Sequence, residues 1–369
     1  MEKRRADLTA MARSGAAVVA IAIVGAACSP VPVGRSDPST SAVEPSATAR
    51  SEHSGATSAP SVVRTDPAGA NASTPAIAAR TTSRSTTSSS SSSSSTSAQR
   101  RSTSAERTFT VTVTVDGHPR SAIVHEPASS VGTAMPLLVA LHGSSSDGQA
   151  LEARTGFDRL ADRFGFVVVY PNGVGDGTNA ASGSWNAGQC CPPASSAGID
   201  DVGFIVELLD QLERSLPIDH RRIYLTGHSN GAMMVQRLAC EHAARFAAIA
   251  SVAGTLGIGR CAPARAVSIL EIHGTGDTNV SFSSAMDSLA DWRSSDGCGA
   301  NAHMAIEGSV TTRTWQCQHG ADVESVEIAG AEHPWPGSRV AAPTGQVTST
   351  AIDASSVVWS FLSRHVDTG

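Results

Sequence analysis

The hydrophobic pattern of this chain changes character near residue 108. Before that point no periodic apolar segment of useful length appears apart from one near the N-terminus. After it, Phe109-Thr110-Val111-Thr112-Val113-Thr114-Val115 alternates with period two, which predicts a half-exposed strand over Thr108–Val115. Asp116-Gly117 supplies a turn, and Ser121–His125 answers as the antiparallel partner. Pro136–Leu141 and Phe166–Tyr170 are continuous apolar runs, the mark of strands buried on both faces. Further strands are predicted at Arg222–Thr226, Ala247–Val252, Val267–Ile272 and Val323–Ile328. Between them, helical stretches are predicted at Ala150–Phe164, Asp201–Leu216, Ala232–His242 and Ala351–Arg364.

Strands alternating with helices predict an α/β domain with a mostly parallel central sheet and helices on both faces. The opening hairpin adds antiparallel strands at one edge. This is the outline of an α/β-hydrolase fold, although periodicity alone also fits other doubly wound sheets.

Composition explains the quiet first third. Residues 29–105 are dominated by Ser, Thr, Ala and Pro and include an unbroken serine run, Ser88–Ser95. Such a segment cannot bury enough apolar surface to offset its ordering entropy, so a disordered linker is expected. Residues 106–369 then form the folded catalytic domain. At the N-terminus, Lys3, Arg4 and Arg5 precede the apolar stretch Ala16–Ala27, which ends at Cys28. A basic start, a short apolar run and small residues before a boundary predict a signal peptide over residues 1–28. Ala26-Ala27-Cys28 resembles the end of a bacterial lipobox, which implies lipidation of Cys28 and membrane attachment. Gly25, where a larger aliphatic is usual, leaves ordinary cleavage and a soluble secreted protein as the alternative. Either way the expected location is extracellular or at the cell surface.

The formal net charge is −6 and no basic block interrupts the folded part, which argues against nucleic acid as a partner. Six of the seven cysteines lie in the folded part: Cys190, Cys191, Cys240, Cys261, Cys298 and Cys317. An even number in an exported chain favours disulfides, and no spacing supports a metal site. Sequence proximity favours Cys240–Cys261 and Cys298–Cys317, leaving Cys190 and Cys191 paired together or free. No cofactor is expected.

The chemistry concentrates at Gly227-His228-Ser229-Asn230-Gly231, the single Gly-x-Ser-x-Gly in the chain. It follows a predicted strand and opens a predicted helix, the context a nucleophile elbow needs. Ser229 is the candidate nucleophile. A hydroxyl nucleophile needs a base, and the base an orienting carboxylate, in the chain order Ser, acid, His. Asp277 and His333 each follow a predicted strand and fill those roles. His142 and His273 stand at strand ends but in the wrong order, which suits them better to supporting turns. Asp287 and Asp291 fall on a predicted helix, and Glu332 adjoins the histidine. For the oxyanion, the backbone N–H groups of Asn230 and Ser144 are the candidates, with Gly143 permitting close backbone approach. Trp185 and Trp335 are candidate substrate-contacting aromatics, with packing around the site as the competing role. The loop Pro171–Gly198 is where specificity is expected to be set.

With these residues together, the chain resembles the polyhydroxybutyrate depolymerase-like esterases, which include feruloyl and acetylxylan esterases. The resemblance runs from about Arg120 to Phe361. It rests on Leu141-His142-Gly143, Ser184-Trp185-Asn186-Ala187-Gly188, Asp200-Asp201-Val202-Gly203-Phe204, the elbow through Met234, His273-Gly274-Thr275-Gly276-Asp277 and His333-Pro334-Trp335-Pro336-Gly337. It implies Ser229, Asp277 and His333 as a triad acting on polymeric or plant-derived esters. Many members carry Cys where Ser144 stands, which implies that one family disulfide is absent here. Two rival readings are a serine peptidase of the same fold and a non-catalytic envelope binding protein on a hydrolase scaffold.

Overall fold

The computed structural model describes residues 107–128, 133–175, 182–342 and 345–368. The expected signal peptide, Cys28 and the serine-rich linker lie outside the described residues.

One ten-stranded sheet organises the domain. Its strands are β1 (Arg107–Val115), β2 (His118–Glu126), β3 (Met135–Leu141), β4 (Val167–Pro171), β5 (Ile218–His228), β6 (Ala248–Val252), β7 (Ser268–Gly274), β8 (His303–Glu307), β9 (Val310–Gln316) and β10 (Asp322–Ile328). Their spatial order is β1-β2-β4-β3-β5-β6-β7-β10-β9-β8. The six central strands from β4 to β10 pair in parallel, while β1 and β2 at one edge and β9 and β8 at the other are antiparallel. The α/β-hydrolase fold is therefore present, with one addition to the predicted topology, a second antiparallel edge. Its hairpin escaped the hydrophobic pattern because Thr311-Thr312-Arg313-Thr314 is polar and β8 is exposed along its whole length.

Helices cover both faces, and strand alternation decides which residues meet them. In β3, Leu137, Val139 and Leu141 join the core beneath α4 (Asp201–Ser215), α5 (Asn230–Glu241) and α6 (Phe282–Ser295). Leu138 and Ala140 face the opposite layer, built on α1 (Gly148–Thr155), α2 (Phe157–Phe164) and α7 (Ala354–Leu362). A short helix α3 (Ala194–Ala197) lies in the connection before α4. The predicted single helix Ala150–Phe164 is two helices. Gly156 ends α1 with φ 59°, a left-handed conformation that glycine tolerates without a Cβ penalty.

Disulfides join Cys240 to Cys261, Cys298 to Cys317, and the neighbours Cys190 and Cys191. The first two are the pairs that sequence proximity favours.

Candidate active site

The parallel strands end on one side of the sheet, and their connections carry the candidate residues. β5 runs to His228, Ser229 turns the chain, and α5 begins at Asn230. Ser229 sits at φ 56°, ψ −121°, a conformation that costs a non-glycine residue on the order of 1–3 kcal/mol. The flanking glycines make the turn sterically feasible. A Cβ on Gly227 would stand 2.5 Å from the Gly231 backbone, and one on Gly231 would run into the carbonyl oxygens of Leu141 and His142. The elbow therefore presses against the end of β3, and Gly143 packs against the Cβ of Ser229.

Asp277 follows β7 and His333 follows β10, adjacent parallel strands in the sheet. Their side chains meet, with His333 Nδ1–H donating to Asp277 Oδ2 at 2.7 Å. The other carboxylate oxygen accepts from the backbone N–H groups of Asn279 at 2.8 Å and Val280 at 3.0 Å. Asp277 is thus fixed by four donors when His273, 3.4 Å from Oδ2, is included. Burial would raise its pKa, but the hydrogen bonds from His273 and His333 hold it well below the usual carboxylate range. The acid is ionised at neutral pH, as an orienting carboxylate must be.

Ser229, His333, Gly143 and Ser144 line one cavity of about 300 Å³. Asn230 occupies the first helical position, so its N–H has no acceptor within the helix. That amide and the one of Ser144 stand on the two segments that Gly143 brings together beside Ser229. The Asn230 side chain serves a different purpose. Its Oδ1 accepts from Trp185 N at 2.7 Å and its Nδ2 donates to Trp185 O at 3.0 Å. This ties the long loop after β4 to the elbow.

The two tryptophans part company. Trp335 lines the cavity, while its indole N–H donates to Ser355 Oγ at 3.1 Å and its ring packs edge-on against Phe157. Trp185 is fully buried and is not among the described residues lining the cavity. Its indole N–H donates to the His142 carbonyl at 2.8 Å and its ring lies against the His142 ring. That is the packing role, and the structure gives Trp185 no contact surface for a substrate.

Three further histidines support the site without standing in for its base. His142 accepts from Gly173 N at 2.9 Å, and burial lowers its pKa to about 4. His228 Nε2–H donates to the His333 carbonyl at 2.9 Å, and burial with the nearby His333 lowers its pKa to about 3. A neutral His228 locates the backbone of His333 and does not repel an imidazolium forming on it. His273 is different. Its Nδ1 faces Glu271 at 2.8 Å and its Nε2 faces the Val280 carbonyl at 3.0 Å as well as Asp277. With acceptors at both nitrogens it holds both protons. Burial opposes the charge, but Asp277 and Glu271 outweigh burial and hold its pKa up to about 10. Burial likewise raises the pKa of Glu271, which is compensated in part by His273. The sequence signal for this pair was two titratable residues at alternate positions of an otherwise apolar buried strand, Ser-Ile-Leu-Glu-Ile-His-Gly. The rival acid Glu332 is engaged elsewhere, accepting from Val347 N at 2.7 Å.

This network makes stability pH-dependent in a defined direction. A histidine whose folded pKa is raised contributes stability that is complete below about pH 6.5 and is lost as pH rises toward about 10. Between pH 7 and 10 the wild type should lose roughly 3 kcal/mol from this source. Chemical denaturation across that range should show a clearly shallower decline for Glu271→Gln. Equal slopes for the two proteins would mean that His273 is not charged in the folded state.

The chain is similar to known esterases. The family described as esterase PHB depolymerase matches residues 121–331, a span that holds Ser229 and Asp277 and stops two residues before His333. The chain belongs to this esterase family. Among its relatives, a bifunctional acetylxylan esterase/xylanase of Neocallimastix patriciarum is 29% identical over 224 residues, covering 59% of this chain and 31% of the relative. Feruloyl esterase B of Piromyces equi is 27% identical over 235 residues, covering 58% and 42%. Poly(3-hydroxyalkanoate) depolymerase C of Paucimonas lemoignei is 32% identical over 130 residues, covering 35% and 30%. The chain thus spans less than half the length of each of these three esterases. Among solved structures, an acetyl xylan esterase from Aspergillus awamori aligns at 15% identity with a TM-score of 0.49, covering 61% of this chain and 94% of that one.

Proposed function

We propose that this member of the PHB depolymerase esterase family hydrolyses carboxylic esters through an acyl-enzyme on Ser229. The observation that carries the reading is the strained Ser229 at a strand–helix elbow, sharing one cavity with a histidine whose Nδ1–H is held by a buried carboxylate at 2.7 Å. In this mechanism Ser229 Oγ attacks the ester carbonyl carbon while His333 Nε2 takes its proton. The Asn230 and Ser144 N–H groups receive the developing oxyanion. The C–O bond to the alcohol then breaks as His333 returns the proton to the leaving oxygen. Water, activated by the same histidine, cleaves the acyl-enzyme and regenerates the serine hydroxyl. Asp277 stays ionised throughout and holds the imidazole tautomer.

The substrates proposed are polyhydroxyalkanoate-type polyesters or feruloyl and acetyl esters, the classes named among the relatives. Turnover of short p-nitrophenyl esters, methyl ferulate, acetylated xylan and a 3-hydroxybutyrate polymer should be compared with that of a matched p-nitroanilide. Ester turnover exceeding anilide turnover by orders of magnitude is expected; the reverse order would make the protein a peptidase.

The proposed setting is outside the cytoplasm. It rests on the basic-then-apolar N-terminus, on Cys28 and on the three disulfides, which persist in oxidising compartments. Lipidation of Cys28 would place the protein in the membrane fraction and Cys28→Ala would remove it from there. Wild-type protein recovered wholly from the medium would speak for plain secretion.

A further inference from the structure

The wall of the catalytic cavity holds one charged side chain that the reaction just described does not use. Arg154, in the last turn of α1, lines the same cavity as Ser229 and His333. It is half-buried, yet among the described residues its guanidinium has neither a hydrogen-bond partner nor a carboxylate within ion-pair distance. Arg120, by contrast, pairs with buried Asp201 at 2.7 Å. No Asp or Glu is found among the described residues that line the cavity. The carboxylate whose field reaches Arg154 is Asp147, which caps the start of α1 by accepting from Ala150 N at 2.7 Å. Arg154 also acts from a distance on His142 and His228, in each case favouring the neutral ring. The rest of the lining is neutral, with hydroxyls and amides such as Ser145, Asn279, Ser338 and Thr348 beside apolar Met233 and Val280.

A half-desolvated guanidinium without a counter-ion gains most from a planar anion, because its fork of donors matches a carboxylate in bidentate fashion. A cavity with low-dielectric walls and charge of one sign also concentrates an anionic ligand. We propose that Arg154 selects esters that bear a free carboxylate, which it binds while Ser229 attacks the ester carbonyl. The proposal rests on the serine-esterase reading and adds a substrate class to it. Short acidic oligoesters ending in a carboxylate fit this chemistry, as do esters of acidic sugars, since both present the same anion at a distance from the scissile bond.

The test uses two pairs of esters, the members of each pair differing by one carboxylate charge, compared first at low ionic strength. In one pair the charge is on the acyl side, 4-nitrophenyl hydrogen adipate against its methyl ester. In the other it is on the alcohol side, 4-butyryloxybenzoate against its methyl ester. In at least one pair the wild type should favour the acid by about tenfold in kcat/KM, chiefly through KM. The preference should shrink as salt is raised from low to molar concentration. Arg154→Gln should lower kcat/KM for the acid of that pair about tenfold more than for its neutral ester, and Arg154→Lys should restore part of the difference. Equal use of acid and neutral ester by the wild type in both pairs would overturn the proposal, as would a preference that survives Arg154→Gln. Failure to hydrolyse any of the four esters would instead count against the esterase reading itself, so the two failures are distinguishable.

Discussion

Replacing Asp277 by Asn should lower kcat by about 10⁴-fold while leaving the fold and the cavity intact. The effect is large for a substitution that keeps volume and shape because the amide reverses the hydrogen-bond polarity at a critical atom. Asp277 Oδ2 accepts from His333 Nδ1 at 2.7 Å, which in the proposed mechanism leaves Nε2 to take the proton of Ser229. An Asn amide presented to Nδ1 favours the opposite tautomer, with the proton on the nitrogen that should act as base. The same substitution removes the negative charge that stabilises the imidazolium. His273 adds to the loss, since its charge is balanced by Asp277 and Glu271 together. Steady-state kinetics on a p-nitrophenyl ester would measure the effect. A variant that keeps most of its turnover would move the acid elsewhere. Glu332, although tied to Val347 N, would then be the residue to replace.

Ser229→Ala should be at least as damaging, with turnover lowered by about 10⁴-fold or more. Among the described residues that line the cavity, no other hydroxyl stands at a strand–helix elbow. Ser144, Ser145 and Ser146 belong to the opposing loop, while Ser229 alone stands at the elbow where α5 begins. The substitution removes the proposed nucleophile and leaves the proposed oxyanion amides and the His333–Asp277 pair in place. A small residual rate from those groups is expected. The melting temperature should change little, because Ala carries the same Cβ into the same backbone conformation and Ser229 Oγ makes no hydrogen bond on which the core depends. Near-normal activity in a variant with an unchanged circular dichroism spectrum would place the nucleophile elsewhere.

The residues that make the sheet were legible because burial on both faces demands continuous apolar runs, as in Leu137–Leu141 and Val167–Tyr170. The elbow was legible because its steric demands fall on glycines, and those demands are visible in the clash that a Cβ on Gly231 would make with β3. What escaped was whatever depends on a partner distant in sequence. The β8–β9 hairpin draws its order from pairing with β10 rather than from its own polar sequence. Arg154 is an ordinary helical residue until the fold places it on the cavity wall. His228 could be excluded as the base by its position beside Ser229. What it does instead, holding the His333 carbonyl, links residues 105 positions apart. The Trp185 ring could equally have faced a substrate or the core, and contact with His142 settles it as core.

Covalent labelling reads whether Ser229 is an activated nucleophile without any knowledge of the natural substrate. The full-length protein should be treated with a fluorophosphonate probe and the adduct mapped by peptide mass spectrometry. Stoichiometric phosphonylation at Ser229 is expected, lost in Ser229→Ala and strongly slowed in Asp277→Asn. A wild-type protein that stays unlabelled, or one labelled at another residue and equally in all three proteins, would contradict the account.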